Sequence, residues 1–107
     1  MSEARSKYHA VKAEVDGYIF ASKREARRYG ELKLLYNAGE IFELTLQPKF
    51  EITINKVHIC NYFADFRYET KYGAMITEDV KGVKTPVYKL KKKLVEALYG
   101  IEIVEVT

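Results

Sequence analysis

Cysteine, histidine and tryptophan are scarce in this chain, and their scarcity excludes several classes of protein. Among 107 residues there is one Cys, Cys60, with two His and no Trp. A single cysteine cannot form an internal disulfide, which suits the reducing cytoplasm. One Cys and two His also fall short of the ligands that a zinc finger or ribbon needs. We therefore expect a cytoplasmic protein whose fold depends on neither disulfides nor zinc.

Long apolar segments are missing as well. No run approaches the roughly 18 apolar residues that span a bilayer, and the polar start of the chain leads into no apolar signal region. We therefore expect neither a membrane anchor nor secretion. Residues 1–7 are predicted to form a flexible polar tail and residues 8–107 a single domain, because about 100 residues is an ordinary domain size.

Charged residues are abundant but nearly balanced. The chain has 18 Lys and Arg against 15 Asp and Glu, a net charge of +3, which permits nucleic-acid binding without requiring it. Where the cations fall is more informative. Lys23, Arg24, Arg27 and Arg28 crowd the start of a predicted helix, where cations oppose the helix dipole. Helix stability alone would not select them there.

Turn and cap signals divide the chain into hairpin, helix and strand segments. Asp16 and Gly17 predict a hairpin turn, and Ser22 with Glu25 forms a capping box that opens the first helix. Strands are predicted over 49–54, 57–69 and 74–81, a second helix over 85–99 and a last strand over 101–106. This order predicts an α/β fold, in which a mixed sheet has one helix before a three-strand meander and another before the last strand.

The hairpin around Gly73 carries the residues of chemical interest. A three-residue loop that ends at Gly73 would place Asp65 opposite Asp79, with Lys81 on the same face as Asp79. Like charges directly opposite each other destabilise a hairpin. A divalent cation bound between the two carboxylates would remove this conflict.

Two alternatives remain open for these acids. A four-residue loop would place Glu78 opposite Asp65 and turn Asp79 away. The acids could also be solvated residues on an open sheet face, balanced by Arg67 and Lys81. Glu25, similarly, could do no more than complete its capping box.

Three segments occur in an order typical of one nuclease superfamily: 22–26 on the first helix, 62–66 on a strand, and 78–82 with the sequence Glu-Asp-Val-Lys-Gly. Through these segments and their order, the chain resembles the PD-(D/E)XK superfamily, although Ala64 stands where the motif has proline. The chain also looks like a small family of phage-encoded proteins of unassigned function, over nearly all of residues 8–104.

The resemblance implies a restriction-endonuclease-like core and a role for each matching residue. Asp65 would be the first aspartate of the motif, Asp79 its second acid and Lys81 its lysine. Glu25 would be the acid that the first helix often supplies. Together Glu25, Asp65 and Asp79 would hold Mg²⁺ or Mn²⁺, while Lys81 would position the attacking water.

The implied function is a metal-dependent DNA endonuclease, with branched or recombination-intermediate DNA as the substrate suggested by analogy. Homodimers are expected, because so small a nuclease would need two copies to cut both strands. The alternatives are a catalytically inactive DNA-binding or assembly subunit of phage replication or recombination, and an interaction domain that binds neither metal nor DNA. The residues expected to hold the phosphate backbone are Lys23, Arg24, Arg27, Arg28, Lys84, Lys89, Lys91, Lys92 and Lys93.

Overall fold

A computed structural model describes residues 12–107 of the chain. Within them the elements are β1 (Ala13–Val15), β2 (Tyr18–Phe20), α1 (Lys23–Asn37), β3 (Ile41–Leu46), β4 (Lys49–Ile54), β5 (Val57–Phe63), β6 (Phe66–Thr70), β7 (Met75–Val80), α2 (Pro86–Tyr99) and β8 (Ile103–Val106). The tail predicted over residues 1–7 and the first residues of the predicted hairpin lie outside the described residues.

The main sheet is mixed, and the predicted α/β fold is confirmed. Its strand order is β3-β6-β7-β8, with β8 parallel to β7 and the other pairs antiparallel. Helix α1 packs on one face, where Tyr29 and Leu32 bury against Phe66. Helix α2 packs on the other, where Val95 buries against Ile103 and the β4–β5 hairpin. The sheet therefore separates two hydrophobic cores.

The prediction of one continuous strand over 57–69 is wrong. The chain leaves one sheet and enters another between β5, which pairs with β4, and β6, which pairs with β3 and β7. At this junction the N–H of Ala64 donates to the carbonyl of Pro48 at 3.1 Å, whereas the N–H of Asp65 donates to the carbonyl of Glu78 at 3.0 Å. The change of hydrogen-bond partner between two adjacent residues ends one ladder and begins the next.

The predicted meander also has a different first strand. Strand β3, which was not predicted, pairs with β6, so the antiparallel part of the main sheet is β3-β6-β7 with the β4–β5 hairpin inserted between β3 and β6. A bulge between Phe42 and Thr45, with Glu43 at a φ of 58°, interrupts β3. Such a bulge breaks the two-residue alternation by which a strand is recognised in a sequence.

Both helices begin where the sequence predicts, and α2 also ends there, at Tyr99. Ser22 Oγ accepts the N–H of Glu25 at 3.1 Å, and Glu25 Oε1 accepts the N–H of Ala21 at 3.0 Å. Both contacts satisfy donors at the start of α1 that have no partner within the helix. Thr85 caps α2 in the same way, and Gly100 ends it in the left-handed conformation. The capping contacts fix Glu25 at the end of α1 that faces the candidate site.

Candidate active site

The β6–β7 hairpin has the register predicted from Gly73. Phe66 lies opposite Glu78, and Glu69 lies opposite Met75. Continued by one residue beyond β6, this register places Asp65 opposite Asp79. The three-residue loop is therefore confirmed, and the register in which Glu78 would face Asp65 does not occur.

Glu78 points to the α1 side of the sheet, where its charge is fully paired. Arg28 Nε and Nη2 donate to its two carboxylate oxygens at 2.8 Å and 2.6 Å, and the hydroxyl of Tyr68 donates to it as well. The Glu78 side chain is 2% exposed. Arg28, predicted to contact DNA, also bonds Glu31 at 2.8 Å, so the structure uses its guanidinium within the protein.

Asp79 points to the α2 side and is also buried, at 1% exposed. The hydroxyl of Tyr62 donates to Asp79 Oδ2, and Lys81 Nζ lies 3.5 Å from Oδ1. Burial raises the pKa of Asp79 to about 6, and the attraction of Lys81 acts in the opposite direction. The carboxylate is therefore buried between the Tyr62 hydroxyl and the Lys81 ammonium group.

Asp65 and Glu25 form an acidic pair at the end of the sheet. Asp65 Oδ2 accepts the N–H of Val80 at 2.6 Å, which ties it to β7. Burial, followed by hydrogen bonding to Glu25, raises the pKa of Asp65 to about 8. Two adjacent carboxylates cannot both ionise at low cost unless a positive charge joins them.

Lys81 lies next to these acids, and Arg24 lies next to Gly82, the residue after Lys81. Lys81 Nζ sits 4.5 Å from the centroid of the Tyr88 ring, and its side chain is 30% exposed. The Arg24 guanidinium lies so close to Gly82 that a Cβ at that position would collide with it. Glycine at 82 therefore leaves room for Arg24 beside the candidate catalytic lysine.

A cavity of about 290 Å³ opens onto the Glu25–Asp65 pair. Strand β2 contributes one wall, and Gln47 lines the cavity as well. The N–H of Gln47 donates to the carbonyl of Asp65 at 2.9 Å, from a residue whose φ is 50°. Sequence reasoning did not assign Gln47 or Tyr62 to the site. A signal existed for Tyr62, which lies in the segment 62–66 that resembles the superfamily, three residues before Asp65.

Comparison with known proteins gives a family but no function. The chain matches the family model described as "Protein of unknown function (DUF1064)" over residues 5–104. It belongs to this family. No curated protein and no solved structure matches it. Neither helix of the described part of the chain is long and apolar enough to cross a membrane.

The acids of this DUF1064 protein supply the oxygen donors that Mg²⁺ and Mn²⁺ prefer. Within residues 12–107, however, no three His, Cys, Asp or Glu side chains are grouped so that they could hold a metal ion. Glu25 and Asp65 are paired, whereas Tyr62 and Lys81 hold the carboxylate of Asp79. The donor chemistry fits a divalent cation, but the structure does not group Asp79 with the pair as a third ligand.

The other predicted DNA contacts fall into two groups. Lys84 bonds Glu105 at 2.9 Å, Lys92 lies 3.8 Å from the same carboxylate, and Lys91 Nζ donates to the carbonyl of Asn61 at 3.2 Å. These three lysines have partners within the protein. The remaining predicted contacts besides Arg24 are solvent-exposed: Lys23, Arg27, Lys89 and Lys93.

Proposed function

We propose that this protein is a Mg²⁺- or Mn²⁺-dependent DNA endonuclease of the PD-(D/E)XK type, acting on branched or recombination-intermediate DNA. The observation that supports this most is the position of Glu25, which hydrogen-bonds to Asp65 and is close enough to Asp79, beside Lys81, for their charges to interact. Burying several carboxylates together disfavours folding. A functional requirement for negative charge explains why the chain keeps them there.

Each residue has a distinct role in the proposed reaction. Glu25 and Asp65 would hold the metal ion, with Asp79 as a third ligand. Such an ion, when bound, lowers the pKa of water and draws charge from the phosphate. Lys81 would orient the attacking water and stabilise the negative charge that develops on the phosphate. Arg24, beside Gly82, would bind a neighbouring phosphate.

The exposed cations are the proposed contacts with the phosphate backbone of DNA. Lys23 and Arg27 lie on α1, whose start carries Glu25, and Lys89 and Lys93 lie on α2. Contacts of this kind act on the phosphate backbone and carry no base sequence. The proposal therefore includes recognition of DNA shape rather than of a particular sequence.

A nicking assay on supercoiled plasmid and on four-way, flapped and linear duplex DNA tests the proposal. We expect cleavage with Mg²⁺ or Mn²⁺, none with EDTA, and none from Asp79→Asn. Lys71→Met is a matched control, because Lys71 pairs with Glu40 at the far end of the hairpin, at 2.9 Å. DNA binding without cleavage by the parent protein would overturn the proposal in favour of an inactive DNA-binding subunit.

A further inference from the structure

A second cavity, of about 300 Å³, lies beside Lys81 between the end of β5 and the start of α2. We call it the Phe63 groove, and its lining includes Phe63, Lys81, Val87, Tyr88 and Lys91. Because Lys81 also lies 3.5 Å from Asp79, the groove adjoins the candidate active site. A molecule bound in it would be in contact with the proposed catalytic lysine.

Two apolar side chains stand exposed at this groove. The Phe63 residue is 55% exposed and Val87 is 63% exposed. By contrast, Tyr62, the neighbour of Phe63 in β5, is 4% exposed because it packs in the core on the α2 side. The Phe63 ring thus lies on the outward face of β5 and presents a flat apolar surface.

The charge of the groove is positive. Lys81 and Lys91 both line it, and of the described residues that do so none is Asp or Glu. Lys91 Nζ is held by the carbonyl of Asn61 at 3.2 Å, so its ammonium group is fixed at the same end of β5 as Phe63. An exposed aromatic ring beside two ammonium groups is the combination that binds nucleotides, by stacking on the base and pairing with the phosphate.

We propose that the Phe63 groove binds an unpaired nucleotide next to the phosphate that is cut. Its base stacks on Phe63, and its phosphate pairs with Lys91. In a continuous duplex, base faces are covered by their neighbours and cannot stack on a protein side chain. The inference rests on the proposed nuclease function and narrows its substrate to DNA with unpaired nucleotides, such as flaps, forks and open junctions.

Fluorescence tests the stacking contact without any cleavage. The chain has nine tyrosines and no tryptophan, so Phe63→Trp places a single tryptophan in the groove, on a residue exposed enough to accept it, and its emission can be excited selectively over that of tyrosine. In Ca²⁺ or EDTA, oligo(dT) and a flapped duplex should quench this fluorescence, whereas a blunt duplex should not. Tyr72→Trp is the control, because Tyr72 is 86% exposed at the β6–β7 turn.

Binding of the same DNAs by Phe63→Ala, measured in Ca²⁺, gives a second test. Loss of one base–aromatic stack should weaken binding of oligo(dT) and flapped DNA by about 5- to 100-fold and leave blunt duplex binding unchanged. No quenching of Phe63→Trp, or equal loss of affinity for all DNAs, would overturn the inference. Quenching by unpaired DNA without any metal-dependent cleavage would support the groove and refute the nuclease function.

Discussion

Arg28 bonds both carboxylate oxygens of Glu78 from the α1 side of the sheet, while the next residue, Asp79, points to the α2 side. The two adjacent acids of β7 are therefore used differently. Arg28 neutralises Glu78 through a bidentate ion pair within the protein. Asp79 is held by the Tyr62 hydroxyl and by Lys81, and it is the acid proposed as a metal ligand. The pair of acids in the sequence is thus one structural and one candidate functional residue.

Removing Arg28 should destabilise the fold strongly. Arg28→Ala would leave Glu78 buried and unpaired, at a cost of about 3–5 kcal/mol in the free energy of unfolding. Urea denaturation measures this change. Arg27→Ala is the matched control, since Arg27 is exposed on the same helix and should change stability by about 0.5 kcal/mol or less. Similar midpoints for the two variants would show that the ion pair contributes little.

The free energy of unfolding of the metal-free protein should depend on pH through Asp65. Burial and Glu25 raise the pKa of Asp65 from its ordinary 3.8 to about 8 in the folded state, so the folded state holds more protons than the unfolded chain between these values. The stability of the parent should therefore fall as pH rises from about 4 to about 8. The pKa of Asp79, raised to about 6, adds to the same trend.

Asp65→Asn should flatten this pH dependence and raise stability at pH 8 in EDTA by an amount on the order of 1–3 kcal/mol. Urea midpoints of parent and variant at pH 5 and pH 8 check both effects. Parallel pH profiles would mean that Asp65 ionises normally in the folded protein.

Lys81→Ala should slow DNA cleavage by a factor of about 10²–10³ while leaving metal binding intact. A protonated lysine cannot ligate a cation, so its contribution is confined to the transition state. Asp79→Ala should instead abolish both Ca²⁺ binding, measured by calorimetry, and cleavage. Cleavage by Lys81→Ala at the parent rate would remove this residue from the reaction.

The exposed lysines of α2 and the lysines paired with Glu105 should differ in their contribution to DNA affinity. Each phosphate contact releases about 0.9 of a counterion, so Lys89→Gln with Lys93→Gln should reduce the slope of log affinity against log salt by about 1.8. Lys84→Gln with Lys92→Gln should reduce it less, because Glu105 already binds both side chains. Equal slopes for the two double variants would contradict this ranking.

Local rules predicted much of the fold. The cap at Ser22 and the αL stop at Gly100 depend on residues close in sequence, and α1 begins and α2 ends accordingly. The register across Gly73 was predictable for a similar reason, because loop length fixes which residues of a hairpin face each other. The placement of Asp65 opposite Asp79 was inferred from that register.

Contacts distant in sequence could not be predicted. Arg28 and Glu78 are 50 residues apart, and nothing in either local pattern identifies the other as its partner. The passage from β5 to β6 was not predicted because the apolar pattern runs from Phe63 through Ala64 to Phe66, interrupted by Asp65 alone. Only the hydrogen bonds of Ala64 and Asp65 to different strands reveal the break.

The two hydrophobic cores have a consequence for inactivation by heat. Glu25 is fixed by α1 and its core, whereas Asp79 and Lys81 contact Tyr62 and Tyr88 of the other core. Loosening of either core alone would move one part of the site away from the other while most of the secondary structure persists. Loss of the proposed nuclease activity would then precede loss of the circular dichroism signal on heating, whichever helix detaches first.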